Sequence, residues 1–146
     1  METGLIHIHS LFRWLTVAFL VIAIIKSLAG WLGKKEYNKS DNLVALLLLS
    51  FTHTQFLLGL GLYFVSSKVI AIGEAMSNSA ARFWSMEHGL IMLIAIALIT
   101  IGRVKSKKAT TDELKHKKGA IFYIIAFILI LWAGIVKPML LGSGLF

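Results

Sequence analysis

His53 and His88 each lie inside an apolar run long enough to cross a bilayer, and His9 lies just ahead of another. A titratable side chain at membrane depth is costly and tends to mark function. Imidazole is also the commonest protein ligand of transition metals and a frequent axial ligand of haem iron. His53 stands 12 residues past Asp41 and His88 stands 15 residues before Arg103, about 18 Å and about 22 Å at helical rise. This count places the two rings near one level, in the outer half of the membrane. His9 lies one helical turn beyond Arg13 and can join them if the first helix is long and tilted.

A shared level suggests a shared iron or metal, because helical bundles build cofactor sites from side chains on facing helices. Bis-histidine haem b is the best candidate, with His53 and His88 as axial ligands and His9 able to replace either. Arg82 is six residues outward of His88, about 9 Å, an offset that suits a haem propionate. Arg13 is placed to clamp a second propionate through a forked contact. Glu87 is expected to pair with Arg82 or Arg13, or else to handle a proton or ligate a non-haem metal. Thr52, Thr54 and Gln55 are candidates to orient the His53 ring. The competing reading is that each intramembrane histidine bonds a neighbouring helix and nothing else. His7 reads as an exposed terminal residue, and His116, inside Lys115–Lys118, as a solvated member of a charge run.

The elements that must carry these residues follow from composition. The 146 residues are 58% hydrophobic, with a mean hydropathy of +0.82, outside the range of a water-soluble domain. Four apolar runs, roughly 11–33, 43–65, 83–102 and 120–141, each suffice to cross about 30 Å of hydrocarbon. The expectation is an all-α polytopic membrane protein, one domain over 1–146, folded as an antiparallel four-helix transmembrane bundle. The first run lacks the basic start and short core of a cleavable signal. Gly30 and Gly33 are expected to stop the first helix. Ser40–Asn42 is expected to cap the second, and Thr110 with Glu113 to form a capping box for the fourth. The second loop has the makings of a short interfacial helix. Arg13 and Arg82 each precede another basic residue by 21 positions, a faint repeat that puts them at similar depth.

Eleven of the 15 Lys and Arg residues fall in or beside the first and third loops. By the positive-inside rule those loops face the cytoplasm and both termini face outward. The third loop is basic enough to meet anionic headgroups, but without interleaved aromatics it is a poor nucleic-acid site. Cysteine is absent, which excludes disulfides and thiolate metal centres. The chain contains no HExxH, GxSxG or phosphate-cradling glycine loop.

The segments His9–Trp14, Phe51–Gln55, Glu87–His88, Ile101–Arg103 and Ser106–Glu113 together resemble a family of small bacterial four-helix membrane proteins commonly labelled "cytochrome B"-like. That resemblance covers nearly the whole chain and implies haem b, with weight on His9, His53 and His88. His9 is also similar in position to a histidine early in the first helix of the membrane haem-type protoporphyrinogen oxidases. The expected function is an inner-membrane haem b protein that passes electrons between a quinol and an outward-facing partner. The alternatives are a non-haem histidine–metal or porphyrinogen-oxidising enzyme, and a cofactor-free accessory subunit of a larger membrane complex.

Overall fold

The computed structural model describes residues 2–143. Four long helices, α1 (Glu2–Leu32), α2 (Lys39–Val65), α4 (Ser79–Lys108) and α5 (Asp112–Leu140), are joined by short connections, with a one-turn α3 (Ile72–Ala75) in the longest of them. Each long helix contains an 18-residue window of mean hydropathy between 1.8 and 2.6. At 27 to 31 residues they extend roughly 40–47 Å, so they project past the hydrocarbon or tilt within it. The expected apolar runs are therefore the middles of longer helices, and α1 begins at Glu2 rather than 11.

The outer surface confirms the solvent. Ile25, Leu57, Phe64, Leu90 and Ile128 all point away from the bundle. Water does not tolerate apolar cover on that scale, whereas a bilayer demands it. The protein is thus a multi-pass, all-α membrane bundle. Within it α1 packs on α2 and α5, α4 packs on α5, and α2 meets α4 only lightly. Hence α1 and α4 lie diagonally across the bundle. Leu20, Leu48, Ala95, Ile99, Tyr123 and Ala126 form its apolar centre.

The helix starts fall a residue or two from their expected caps. Asn38, not Ser40, caps α2: its side chain accepts from Asp41 N at 3.1 Å, and Asp41 accepts from Asn38 N at 3.0 Å. Thr111, not Thr110, caps α5 by accepting from Leu114 N at 3.1 Å. The short helix expected in the second loop is α3.

The basic end corrects two expectations at once. The α1 helix stops directly before Gly33, as expected, but Lys34, with φ 51°, and not a glycine takes the left-handed turn, while Gly30 serves a different purpose. His116 is not solvated; it is 1% exposed. Its ring packs against the face of Gly30 at a spot that a Cβ would occupy, lies 5.2 Å from the Tyr37 ring, and places Nε2 3.3 Å from Glu36 O. The reason is helical period. The α5 helix continues one turn into the basic run, so one of the four residues Lys115–Lys118 must face α1, and His116 is the least charged of them.

Gly30→Ala drives a methyl into the His116 ring and should cost about 1–3 kcal/mol of stability in detergent unfolding, the usual range for overpacking. The cost should fall sharply in a His116→Ala background. Equal costs in both backgrounds would show that the contact is not what requires glycine.

Candidate cofactor site

At the opposite end, where the described residues begin and end, α4 and α5 each contain one π-helical turn: Phe83–Glu87 and Trp132–Val136. Such turns recur at functional sites. The cause of the second is Pro138. It has no N–H, so it donates neither to Gly134, four residues back, nor to Ala133, five back. Lys137 N–H, the ordinary helical partner of Ala133, bonds Trp132 O instead. Side chains from two other helices meet these carbonyls. His88 Nδ1 donates to Ala133 O at 2.8 Å, and Arg13 Nη1 reaches Gly134 O at 3.5 Å. Helices α1, α4 and α5 are thereby tied at one level.

The His88 bond has a chemical consequence. A carbonyl only accepts, so Nδ1 carries the hydrogen, and in the neutral ring Nε2 is the lone-pair nitrogen. This is how proteins prepare a metal-ligating histidine: a backbone acceptor on one nitrogen fixes the ring and the tautomer for the other. Phe83 and Trp84, each 5.5 Å from the His88 ring, wall it in.

His9 faces the same region from the diagonal helix. Its ring packs on α2 at Gly59, where a Cβ would stand 3.3 Å from Cε1. Its Nε2 lies 3.4 Å from Gln55 Nε2. His9 Nδ1, Gln55 Oε1 and Thr16 Oγ1 are buried with no hydrogen-bond partner among the described residues. With the Gln55 amide turned so that Oε1 accepts from His9 Nε2–H, Nδ1 is the lone-pair nitrogen and is left unmet; with Gln55 Nε2 as donor, Nδ1 carries the hydrogen instead.

The structure does not bring His53 to this site. His53 is exposed on the bundle surface, and its Nε2 bonds Thr100 Oγ1 at 3.1 Å. Thr100 is 12 residues along α4 from His88, about 18 Å. The expected His53–His88 ligand pair is therefore not assembled, nor is a three-histidine metal site. Thr52 and Thr54 bond their own helix, at Leu48 O and Ser50 O, and Gln55 serves His9. Arg82 is engaged elsewhere. It pairs with Glu87 at 2.9 Å and reaches Met76 O at 3.3 Å, so the expected Arg82–Glu87 pair is present and Arg13 alone enters the site. His7 is exposed as expected. Of the residues that complete the site, Pro138 carried a readable signal: a proline inside an apolar run always strands a carbonyl.

No family model, curated protein or solved structure matches this chain.

Pro138→Ala restores an N–H to α5 and should let the helix reclaim the carbonyls that His88 and Arg13 use. Nitrogen-15 NMR of the imidazoles in detergent is expected to show one Nδ1–H tautomer for His88 in the wild type and a mixture in Pro138→Ala. A single unchanged tautomer would mean that the proline is not what frees Ala133 O.

Proposed function

We propose that the protein is a membrane haem b protein whose axial ligands are His9 and His88. The observation that carries this reading is the His88 ring, locked through Nδ1 on a stranded carbonyl with Nε2 left to bind, across the bundle from a His9 whose Nδ1 is buried and unmet. Two imidazoles on diagonal helices, His9 one turn from Arg13 and His88 bonded beside the carbonyl that Arg13 reaches, fit the donor chemistry of a bis-histidine haem. Arg13, between them, is the residue to hold a propionate. Gln55 and Gly59 fix the His9 ring, and Phe83 and Trp84 exclude water from His88.

The group, once bound, supplies one-electron chemistry. The reading places it near the outer face of a bacterial inner membrane, since the basic loops at the far end satisfy the positive-inside rule. A quinol arriving through lipid and an outward-facing partner are then the donor and acceptor. His53, on the lipid face, is a structural residue in this scheme.

The test is an absorption spectrum of the purified protein, oxidised and dithionite-reduced, from cells supplied with haem. The expected result is a Soret band that shifts on reduction, lost in both His9→Ala and His88→Ala and kept in His53→Ala. A haem spectrum that survives His9→Ala and His88→Ala, or its absence from the wild type, overturns the reading.

A further inference from the structure

The basic end contains a second site, built independently of the histidines. An open cleft of about 300 Å³ lies between the start of α2, the end of α4 and the start of α5. Lys39, Arg103, Lys107 and Lys115 line it with Tyr37 and Asn42, and no carboxylate does. Arg103 is its floor. At 6% exposure it is a buried cation, which ordinarily requires a counter-charge.

Arg103 has none among the described residues. Its Nη2 donates to Asn42 Oδ1 at 2.6 Å and its Nη1 to Tyr37 Oη at 3.4 Å. Both partners are neutral: burial holds the Tyr37 hydroxyl above its ordinary pKa, although Arg103 opposes this. Asp41, the acid next to Asn42, is taken up by the Asn38 cap and by Lys26 at 3.5 Å. Lys115 is held over the cleft, its Nζ donating to Lys107 O at 2.8 Å and lying 5.8 Å from the Tyr37 ring centre. A guanidinium has five N–H donors in a fork that matches tetrahedral oxyanions.

We propose that this cleft binds a phosphate group, with Arg103 as the buried anchor and Lys39, Lys107 and Lys115 around it. The size of the cleft and its place where three helices end suit the phosphate of a lipid headgroup or of a small soluble phosphate ester. The chemistry of recognition is the same for both.

Native mass spectrometry of the detergent-solubilised full chain tests this, using phosphatidic acid against phosphatidylcholine, each with and without millimolar inorganic phosphate. Phosphatidic acid should be retained over phosphatidylcholine, and Lys107→Gln and Arg103→Gln should each weaken retention about tenfold, the usual worth of a hydrogen bond to a charged group. Lys105→Gln, an exposed lysine of the same turn that is outside the cleft, should leave it unchanged. Displacement by inorganic phosphate would identify a soluble phosphate as the ligand, and resistance to it a headgroup. If Lys107→Gln, which removes only an exposed amine, has no effect, or if Lys105→Gln has the same effect, the site is overturned in favour of diffuse surface attraction. Arg103→Gln is read only where its unfolding midpoint matches wild type; Lys107→Gln decides the matter otherwise.

Discussion

A backbone carbonyl without a helical partner costs several kcal/mol where no water can reach it, and Pro138 strands carbonyls in α5 at such a place. The end of the bundle that bears the termini is arranged around that debt. His88 crosses from α4 to Ala133 O, and Arg13 crosses from α1 to Gly134 O. Two polar side chains that would themselves be costly in lipid settle their own donors and the helix's acceptors together. The π-turn in α5 is the backbone half of the same arrangement, since it sends Lys137 N–H to Trp132 O and so leaves Ala133 O to an outside donor. A rigid imidazole is the product, held by an acceptor that no side-chain rotation can remove.

The two ends of the bundle treat inward-facing arginine alike, part-buried at Arg13 and buried at Arg103, and surface cations differently. Arg13 reaches a carbonyl oxygen and Arg103 reaches an amide oxygen and a phenol. The two carboxylates that form ion pairs among the described residues, Asp41 and Glu87, are matched to Lys26 and Arg82, which are closer to the surface. Exposed pairs of that kind contribute little to stability. At the basic end the Arg103 guanidinium carries the architecture, and its neutral partners, Asn42 and Tyr37, leave its positive charge largely intact. Positive potential is thus concentrated inside the basic end of the bundle rather than cancelled there.

The sequence made the class plain and the facing of residues obscure, for one physical reason. Four runs of apolar residues specify membrane helices whatever their neighbours are. In a soluble bundle hydropathy would also reveal which side of each helix is buried, but in lipid both sides are apolar and that signal flattens. His53 and His88 could therefore be counted to similar depths from Asp41 and Arg103, yet the count assumed helix ends that are flush and axes that are parallel. Arg103 in fact lies about one and a half turns before the end of α4 at Lys108, and His53 bonds Thr100 rather than anything near His88. His9 and His88 were both legible as candidates, and that His53 stands apart from them was not. His116 failed oppositely: three lysines around it outweighed a helical period that turns it inward. The Arg82–Glu87 pair, which needs only local spacing, was readable directly.

His53 acquires its meaning from the seam that it crosses. Lipid offers no hydrophobic drive to bring helices together, so close packing and interhelical hydrogen bonds must do it. Small residues close the other seams: Gly30 and Gly119 admit α5 to α1, Gly102 and Gly134 join α4 to α5, and Gly59 receives His9 of α1. The α2–α4 seam has no such contact; Gly61 and Gly89, on these two helices, have open space where a Cβ would be. It is held instead by polar ties spread along its length. Tyr63 Oη donates to Ser85 O at 2.9 Å near one end, His53 meets Thr100 further in, and Arg103 donates to Asn42 at the other. Thr100 Oγ1 gives its hydrogen to Ile96 O at 2.8 Å, so His53 Nε2–H is the donor across the seam. A histidine in a transmembrane run is thus explained as one stitch in the least packed interface of the bundle, and the same logic assigns Asn42 two duties, closing the seam and fixing the arginine at the floor of the basic cleft.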